Sequence, residues 1–191
     1  IYNLSDLSLS NAPYFIERKR FSSCSRGIRI LTRNETKELK IFYSKNYILQ
    51  EYIDGSMYVV DVLCDKNGII KMIIPRKEIS IKDGTTFKCE IVKHDLIVKY
   101  TKKIYKYFSV PGISNIQFIE DKNGNIYFIE LNSRVAATMI ASSLSSINIL
   151  DLYIENILFN KNLPCYSVLM KTVKWNTIIS RYYEETVFKG K

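Results

Sequence analysis

Four polar residues carry the chemistry that this sequence offers: Gln117, Glu130, Asn132 and Arg134. Phe128-Ile129-Glu130-Leu131-Asn132 reads as a strand, and period-two alternation puts Phe128, Glu130 and Asn132 on one face with Ile129 and Leu131 on the other. Asp121-Lys122-Asn123-Gly124 reads as a tight turn, so Asn115 to Glu120 becomes the partner strand and brings Gln117 near Glu130. One carboxylate and two amide oxygens projecting together suit Mg²⁺, which takes one or two carboxylates and completes its octahedron with water and phosphate oxygens. Arg134, just past the strand, can meet those phosphates as a bidentate fork. The same spacing also describes a surface ion pair between Glu130 and Arg134, and spacing alone does not choose between the two.

The elements that must hold these residues follow from the rest of the chain. Tyr14 to Ile16 and Gly27 to Leu31 read as strands around the basic, Ser-rich stretch Arg18 to Arg26. Thr32 with Glu35 three residues on is a capping box, predicting a helix from about Arg33 to Tyr43. Tyr47 to Ile53 and Met57 to Leu63 read as a hairpin turned by Asp54-Gly55, and Asp65-Lys66-Asn67-Gly68 turns the chain into Ile69 to Ile74. Beyond the Asp83-Gly84 turn, Thr86 to Val92 is a strand and Asp95 caps a helix through about Phe108. Small residues from Ala136 to Ser143 allow close packing, Asn148 caps a helix through Phe159, and Tyr166 to Trp175 reads as a returning strand. Mixed elements with mostly antiparallel pairing give the α+β class.

Composition narrows the function classes. At 191 residues, with 47% hydrophobic and 25% charged, the chain is in the globular range and excludes disordered and collagenous classes. It has no uncharged apolar run of about eighteen residues, and Ile1 to Pro13 lacks a signal-peptide pattern, so a soluble, cytoplasmic protein with no membrane partner is expected. Cys24, Cys64, Cys89 and Cys165 lack zinc spacing and read as free thiols. The net charge of +9 would attract polyanions, but it is spread along the chain and the tyrosines fall at strand periodicity, so a nucleic-acid partner is disfavoured. His94, just before a helix, reads as a surface or cap residue rather than a general base.

Asn115-Ile116-Gln117-Phe118, the Asn-Gly turn and Ile129-Glu130-Leu131-Asn132-Ser133-Arg134 together resemble the metal-binding hairpin of ATP-grasp enzymes of the carbamoyl-phosphate synthase large-chain type. Other stretches resemble that family in the same order, over roughly Pro13 to Phe159. Pro13 to Gly27 looks like the strand and loop over the ATP phosphates, Leu49 to Gly55 like the hinge that receives adenine, and Tyr58 to Leu63 and Pro75-Arg76 like further family words.

The resemblance implies an ATP-grasp fold of two α+β lobes and ATP with Mg²⁺ (or Mn²⁺) as cofactors. It also implies a ligase that activates a carboxylate as an acyl phosphate for attack by an amine or similar nucleophile. The partners it implies are those small-molecule substrates, with a homo-oligomer left open. Gln117 and Glu130 would hold one metal ion, Glu130 and Asn132 a second, and Arg134 and Arg76 would meet phosphate. Arg18, Arg20, Ser23 and Ser25 would bind the nucleotide phosphates, and Glu51, Tyr52 and Ile53 the adenine.

This chain departs from the family at Arg18, where Lys is usual, at Ser22 and Cys24, where glycines are usual, and at Met57, where Glu is frequent. Those departures sustain an alternative, a non-catalytic nucleotide-binding or regulatory module. The expected organisation is a connection over 1–12 from an N-terminal domain missing from this sequence, a small lobe over 13–53 and a large lobe over 54–191.

Overall fold

Alternating apolar residues build the first sheet. Tyr14–Lys19 (β1) lies between Arg29–Thr32 (β2) and Tyr47–Glu51 (β3), antiparallel to both. Phe15, Leu31 and Leu49 point to one side and form a small buried cluster. The capping box closes as the sequence predicts: the Thr32 amide donates to the Glu35 carboxylate at 2.7 Å and the Glu35 amide donates to Thr32 Oγ1 at 3.3 Å. Arg33–Glu38 (α1) follows. The computed structural model describes residues 11–19, 28–38, 47–82, 84–184 and 187, with 37 and 38 as backbone only, so the rest of the helix expected to reach Tyr43 lies outside the described residues. This sheet belongs to one compact unit, residues 1–54, and everything after it to a second, 55–191.

The second unit is built on a six-stranded antiparallel sheet. Its strands are Gly55–Cys64 (β4), Ile70–Lys82 (β5), Thr85–Ile91 (β6), Gly112–Asp121 (β7), Ile126–Asn132 (β8) and Ile178–Ser180 (β9), in the order β8-β7-β4-β5-β6-β9. Strand alternation sorts the core into two layers. Tyr58, Val60, Val62, Ile73, Ile116 and Phe118 pack under the helix Asp95–Tyr105 (α2) through Ile97 and Tyr105. Leu63, Met72, Ile74 and Ile113 pack on the other face under Ile140–Leu144 (α3), Ile149–Ile157 (α4) and Tyr166–Met170 (α5).

Several sequence expectations change here. Asp54-Gly55 does not turn a hairpin: β3 pairs with β1 in the first sheet, whereas β4 pairs with β5 and β7 in the second. Gly55 is needed for a different reason, because a Cβ there would stand 2.2 Å from the Glu120 carbonyl oxygen across the β4–β7 ladder. The strand after Ile69 continues through Pro75 to Lys82. Pro75 is tolerated because its carbonyl accepts from the Val92 amide at 3.0 Å, just past the end of β6, so the donor that proline lacks would have faced the end of that ladder.

Tyr166 to Trp175 is not a strand. Leu169 and Val173, four residues apart, are the buried positions, and α5 with the turns after it places them on the core. The cap of α2 is His94 rather than Asp95, with His94 Nδ1 accepting from the Ile97 amide at 3.3 Å. Asn148 does cap α4, accepting from the Leu150 amide at 3.1 Å.

The two four-residue turns behave alike. Asp65 Oδ1 accepts from the Asn67 and Ile69 amides, and Asp121 Oδ1 accepts from the Asn123 and Asn125 amides. Asn-Gly supplies the positive φ in each, at Gly68 and Gly124. No helix is long and apolar enough to cross a membrane among the described residues.

Candidate functional site

Two cross-strand rows on the α3–α4 face of the second sheet organise the polar residues. One runs Arg76, Val59, Gln117, Glu130 across β5, β4, β7 and β8; the next runs Ile74, Asp61, Asn115, Asn132. Gln117 and Glu130 are therefore direct cross-strand partners, a pairing whose Cβ atoms lie about 4.5–5.5 Å apart.

The register reaches this arrangement through a β-bulge. Gln117 pairs with Glu130 but Phe118 pairs with Phe128, so Ile129 is an extra residue in β8. Phe128 consequently stands with Phe118 on the α2 face, where the two rings meet edge to face at 6.3 Å, and not beside Glu130 as simple alternation predicts. Glu130 and Asn132 keep the other face.

Hydrogen bonds tie the group together. Asn132 Nδ2 donates to Glu130 Oε1 at 2.8 Å and to Asn115 Oδ1 at 3.4 Å, while Asn115 Nδ2 donates to the Arg134 carbonyl at 3.1 Å. Asn132 Oδ1 accepts nothing among the described residues, which leaves an amide oxygen beside a half-buried carboxylate. The Arg134 side chain is exposed and donates to the neighbouring Val135 carbonyl at 3.3 Å.

Among the described residues no three His, Cys, Asp or Glu side chains gather in a way that could hold a metal ion. The group at Glu130 is instead one carboxylate with two amide side chains. All its donors are hard oxygens, which fits Mg²⁺ completed by water and phosphate and not zinc.

Arg76 is not part of this exposed group. It is fully buried; its Nε and Nη2 donate to the Asp61 carboxylate at 2.9 and 3.2 Å, and its Nη1 donates to Thr138 Oγ1 at 2.9 Å. Ser142 Oγ adds a third bond to Asp61, at 2.6 Å. Burial alone would lower the guanidinium pKa, but the Asp61 carboxylate more than offsets this and holds it above its ordinary value. The expectation that Arg76 meets phosphate is corrected: the side chain is buried, and Nε, Nη1 and Nη2 each donate inside the protein.

Sequence reasoning missed Asp61, Asn115, Thr138 and Ser142. A signal was present for Asp61, a lone charge in a β-branched run, since buried charges persist only when paired; Arg76, followed by Lys77 and Glu78, carried no such signal.

In the first unit, Arg18 pairs opposite Ile48, and its Nε is buried with no hydrogen-bond partner among the described residues. Glu51 ends β3, and the Tyr52 amide donates to the Tyr14 carbonyl at 3.0 Å, which engages that amide within the sheet; Ile53 follows, half-buried. Arg20, Ser23 and Ser25 lie outside the described residues.

A second polar group, Tyr58, His94 and Glu120, lies on the α2 face, away from Glu130. The Tyr58 hydroxyl donates to Glu120 at 2.7 Å and, with His94, holds that carboxyl below its usual range.

A model for the family described as ATP-grasp in the biosynthetic pathway with Ter operon matches residues 43–177. The chain belongs to this ATP-grasp family. It is similar to the carbamoyl phosphate synthase large chain of Clostridium acetobutylicum, 34% identical over 127 residues that cover 61% of this chain and 12% of the relative. The same protein of Caldanaerobacter subterraneus is 30% identical over 123 residues, covering 58% of this chain and 11% of the relative. The chain thus spans about an eighth of the length of these curated relatives.

Solved structures share the ATP-grasp fold. Biotin carboxylase from Campylobacter jejuni, in a β-γ-ATP complex, has a TM-score of 0.67 at 18% identity, covering 91% of this chain and 42% of that one. The biotin carboxylase domain of the Hydrogenobacter thermophilus 2-oxoglutarate carboxylase, with MgADP, scores 0.70 at 19% identity, covering 92% and 42%. N5-carboxyaminoimidazole synthetase from Staphylococcus aureus scores 0.64 at 16% identity, covering 86% and 46%.

Proposed function

We propose that this ATP-grasp chain binds Mg-ATP and serves an ATP-dependent ligase that activates a carboxylate as an acyl phosphate for attack by an amine or similar nucleophile. The observation that carries the reading is the cross-strand pair Gln117–Glu130, with Asn132 hydrogen-bonded to Glu130 and Arg134 two residues past the strand. The relatives named above are carbamoyl phosphate synthases, biotin carboxylases and a carboxyaminoimidazole synthetase, which supports the ligase class without choosing a substrate.

Glu130, Gln117 and Asn132 would hold Mg²⁺, and bound Mg²⁺ supplies neutralisation of phosphate charge. Arg134 offers a planar fork of N–H donors to phosphate oxygens, and Arg18 offers a second. Glu51 to Ile53 would receive adenine, with Arg20, Ser23 and Ser25 at the phosphates. Catalysis of this kind rests on positioning and charge neutralisation, so it needs no general base near Glu130. In this reading residues 13–53 are the small lobe, 54–191 the large lobe, 1–12 a connection, and the protein is cytoplasmic.

A second reading, nucleotide binding without turnover, is favoured by one observation. Arg76 is committed to Asp61, so that this strand arginine does not offer itself to phosphate beside Arg134. Titration calorimetry with ATP and Mg²⁺, followed by an ADP-release assay across a panel of carboxylates and amines, tests both. ADP release that depends on a carboxylate supports the ligase; binding with no release across the panel supports the module; no binding contradicts both.

A further inference from the structure

The segment after β8 is tied to the sheet at two neighbouring points, and Arg181, just past β9, adds a third tie by donating from Nη2 to the Ala137 carbonyl at 2.8 Å. Asn115 holds the Arg134 carbonyl, and Asn115 is the cross-strand partner of Asp61. Asp61 with Arg76 holds Ser142 and Thr138. All four groups at the second tie are buried, Asp61 at 2% exposure, Arg76 at 0%, Thr138 at 8% and Ser142 at 0%. Between the ties the backbone closes on itself, with the amides of Met139, Ala141, Ser142 and Ser143 donating to the carbonyls of Ala136, Thr138 and Met139. Arg134 itself is exposed and makes no side-chain bond beyond its neighbour's carbonyl among the described residues.

We propose that the buried Asp61–Arg76 pair, through Thr138 and Ser142, clamps the segment 134–142 and so positions Arg134 beside Glu130 for phosphate. Asp61, Arg76, Thr138 and Ser142 are positioning residues; none reaches the exposed site. The clamp suits a site that needs a long cationic side chain ready at one place, because a guanidinium on a fixed backbone loses less freedom on binding than one on a mobile turn. A buried ion pair suits this task because its geometry is specific, whereas an apolar contact can slide. The proposal rests on the reading of Glu130 and Arg134 as a metal and phosphate site.

Thr138→Val removes the hydroxyl that accepts from Arg76 while keeping the side-chain shape, and Thr138→Ser restores the hydroxyl. Hydrogen exchange reads the clamp without any ligand. In Thr138→Val the amides of Met139, Ala141, Ser142 and Ser143 are expected to exchange about tenfold faster, the effect of one lost hydrogen bond to a charged group, while amides of β4 and β7 do not change; Thr138→Ser is expected to match the wild type. Calorimetry then reads positioning, as the affinity for a non-hydrolysable ATP analogue relative to ADP, both with Mg²⁺. That ratio should fall at least about fivefold in Thr138→Val, toward its value in Arg134→Ala, and recover in Thr138→Ser.

Unchanged exchange in Thr138→Val overturns the clamp. Faster exchange with an unchanged nucleotide ratio overturns the positioning of Arg134 and leaves the site reading standing. A wild-type chain that binds neither nucleotide overturns the site reading, and this inference with it.

Discussion

Replacing Arg76 by Met should cost more stability than almost any other single change in the second unit. The side chain is 0% exposed and supplies two of the three hydrogen bonds on an Asp61 carboxylate that is itself 2% exposed. Removing one partner of such a pair leaves a dehydrated charge behind and costs about 3–5 kcal/mol. With a denaturant slope of about 2 kcal/mol per M urea, that moves the unfolding midpoint down by about 2 M. The double variant Asp61→Leu/Arg76→Met should regain most of the loss, since apolar pairs of similar volume replace buried ion pairs with little penalty, giving a coupling of at least about 2 kcal/mol in a double-mutant cycle. Urea titration followed by circular dichroism and by the fluorescence of Trp175, which packs against the core on the Asp61 face, measures all four members. A loss under about 1 kcal/mol in Arg76→Met, or a double variant equal to the sum of the singles, would refute the buried-pair account. Weakened nucleotide binding with intact stability would return Arg76 to phosphate.

Arg134→Ala, at an exposed position, should leave stability within about 0.5 kcal/mol of wild type while weakening the triphosphate more than ADP; thermal melts and calorimetry check the two halves, and a melting point several degrees lower would contradict it. Gly55→Ala puts a Cβ 2.2 Å from the Glu120 carbonyl oxygen, and overpacking against backbone should cost about 1–3 kcal/mol, or roughly 3–10 °C in melting temperature. A melt unchanged within a degree would show that β4 and β7 do not approach this closely.

Burial opposes ionisation of Asp65, but the Ile69 and Asn67 amides and Lys71 outweigh it and hold the folded carboxyl below its ordinary value. A lowered folded pKa gives stability that is complete above the unfolded value, about 3.9, and is lost as pH falls through the folded one. Asp65→Asn should therefore be less stable than wild type at pH 7, with the gap closing below about pH 4. A gap as large at pH 3 as at pH 7 would sink this assignment.

Much of the architecture is legible in the sequence because turn chemistry is local. Asp-Lys-Asn-Gly sets both hairpins, and Thr32 with Glu35 sets the start of α1. The apposition of Gln117 and Glu130 follows from the second turn. What is not legible depends on distant parts of the chain. A single extra residue at Ile129 sends Phe128 to the other face, and alternation has no means of registering a bulge. Asp54-Gly55 has the composition of a turn, yet Gly55 answers to the backbone of β7, sixty-five positions away at Glu120. Tyr166 to Trp175 reads as a strand, but burial at Leu169 and Val173 goes with a short helix followed by turns. Arg76 looks like a ligand until its partner Asp61, on the adjacent strand, is known.

The central claim is that Glu130 and its amide neighbours hold Mg²⁺ for a nucleotide, and calorimetry of ATP binding with Mg²⁺ and with EDTA, for wild type and Glu130→Ala, tests it most directly. Wild type should bind at least about tenfold tighter with Mg²⁺, a difference of about 1.4 kcal/mol, and Glu130→Ala should bind equally weakly in both conditions while melting like the wild type. Unchanged Mg²⁺-dependent affinity in Glu130→Ala would contradict it.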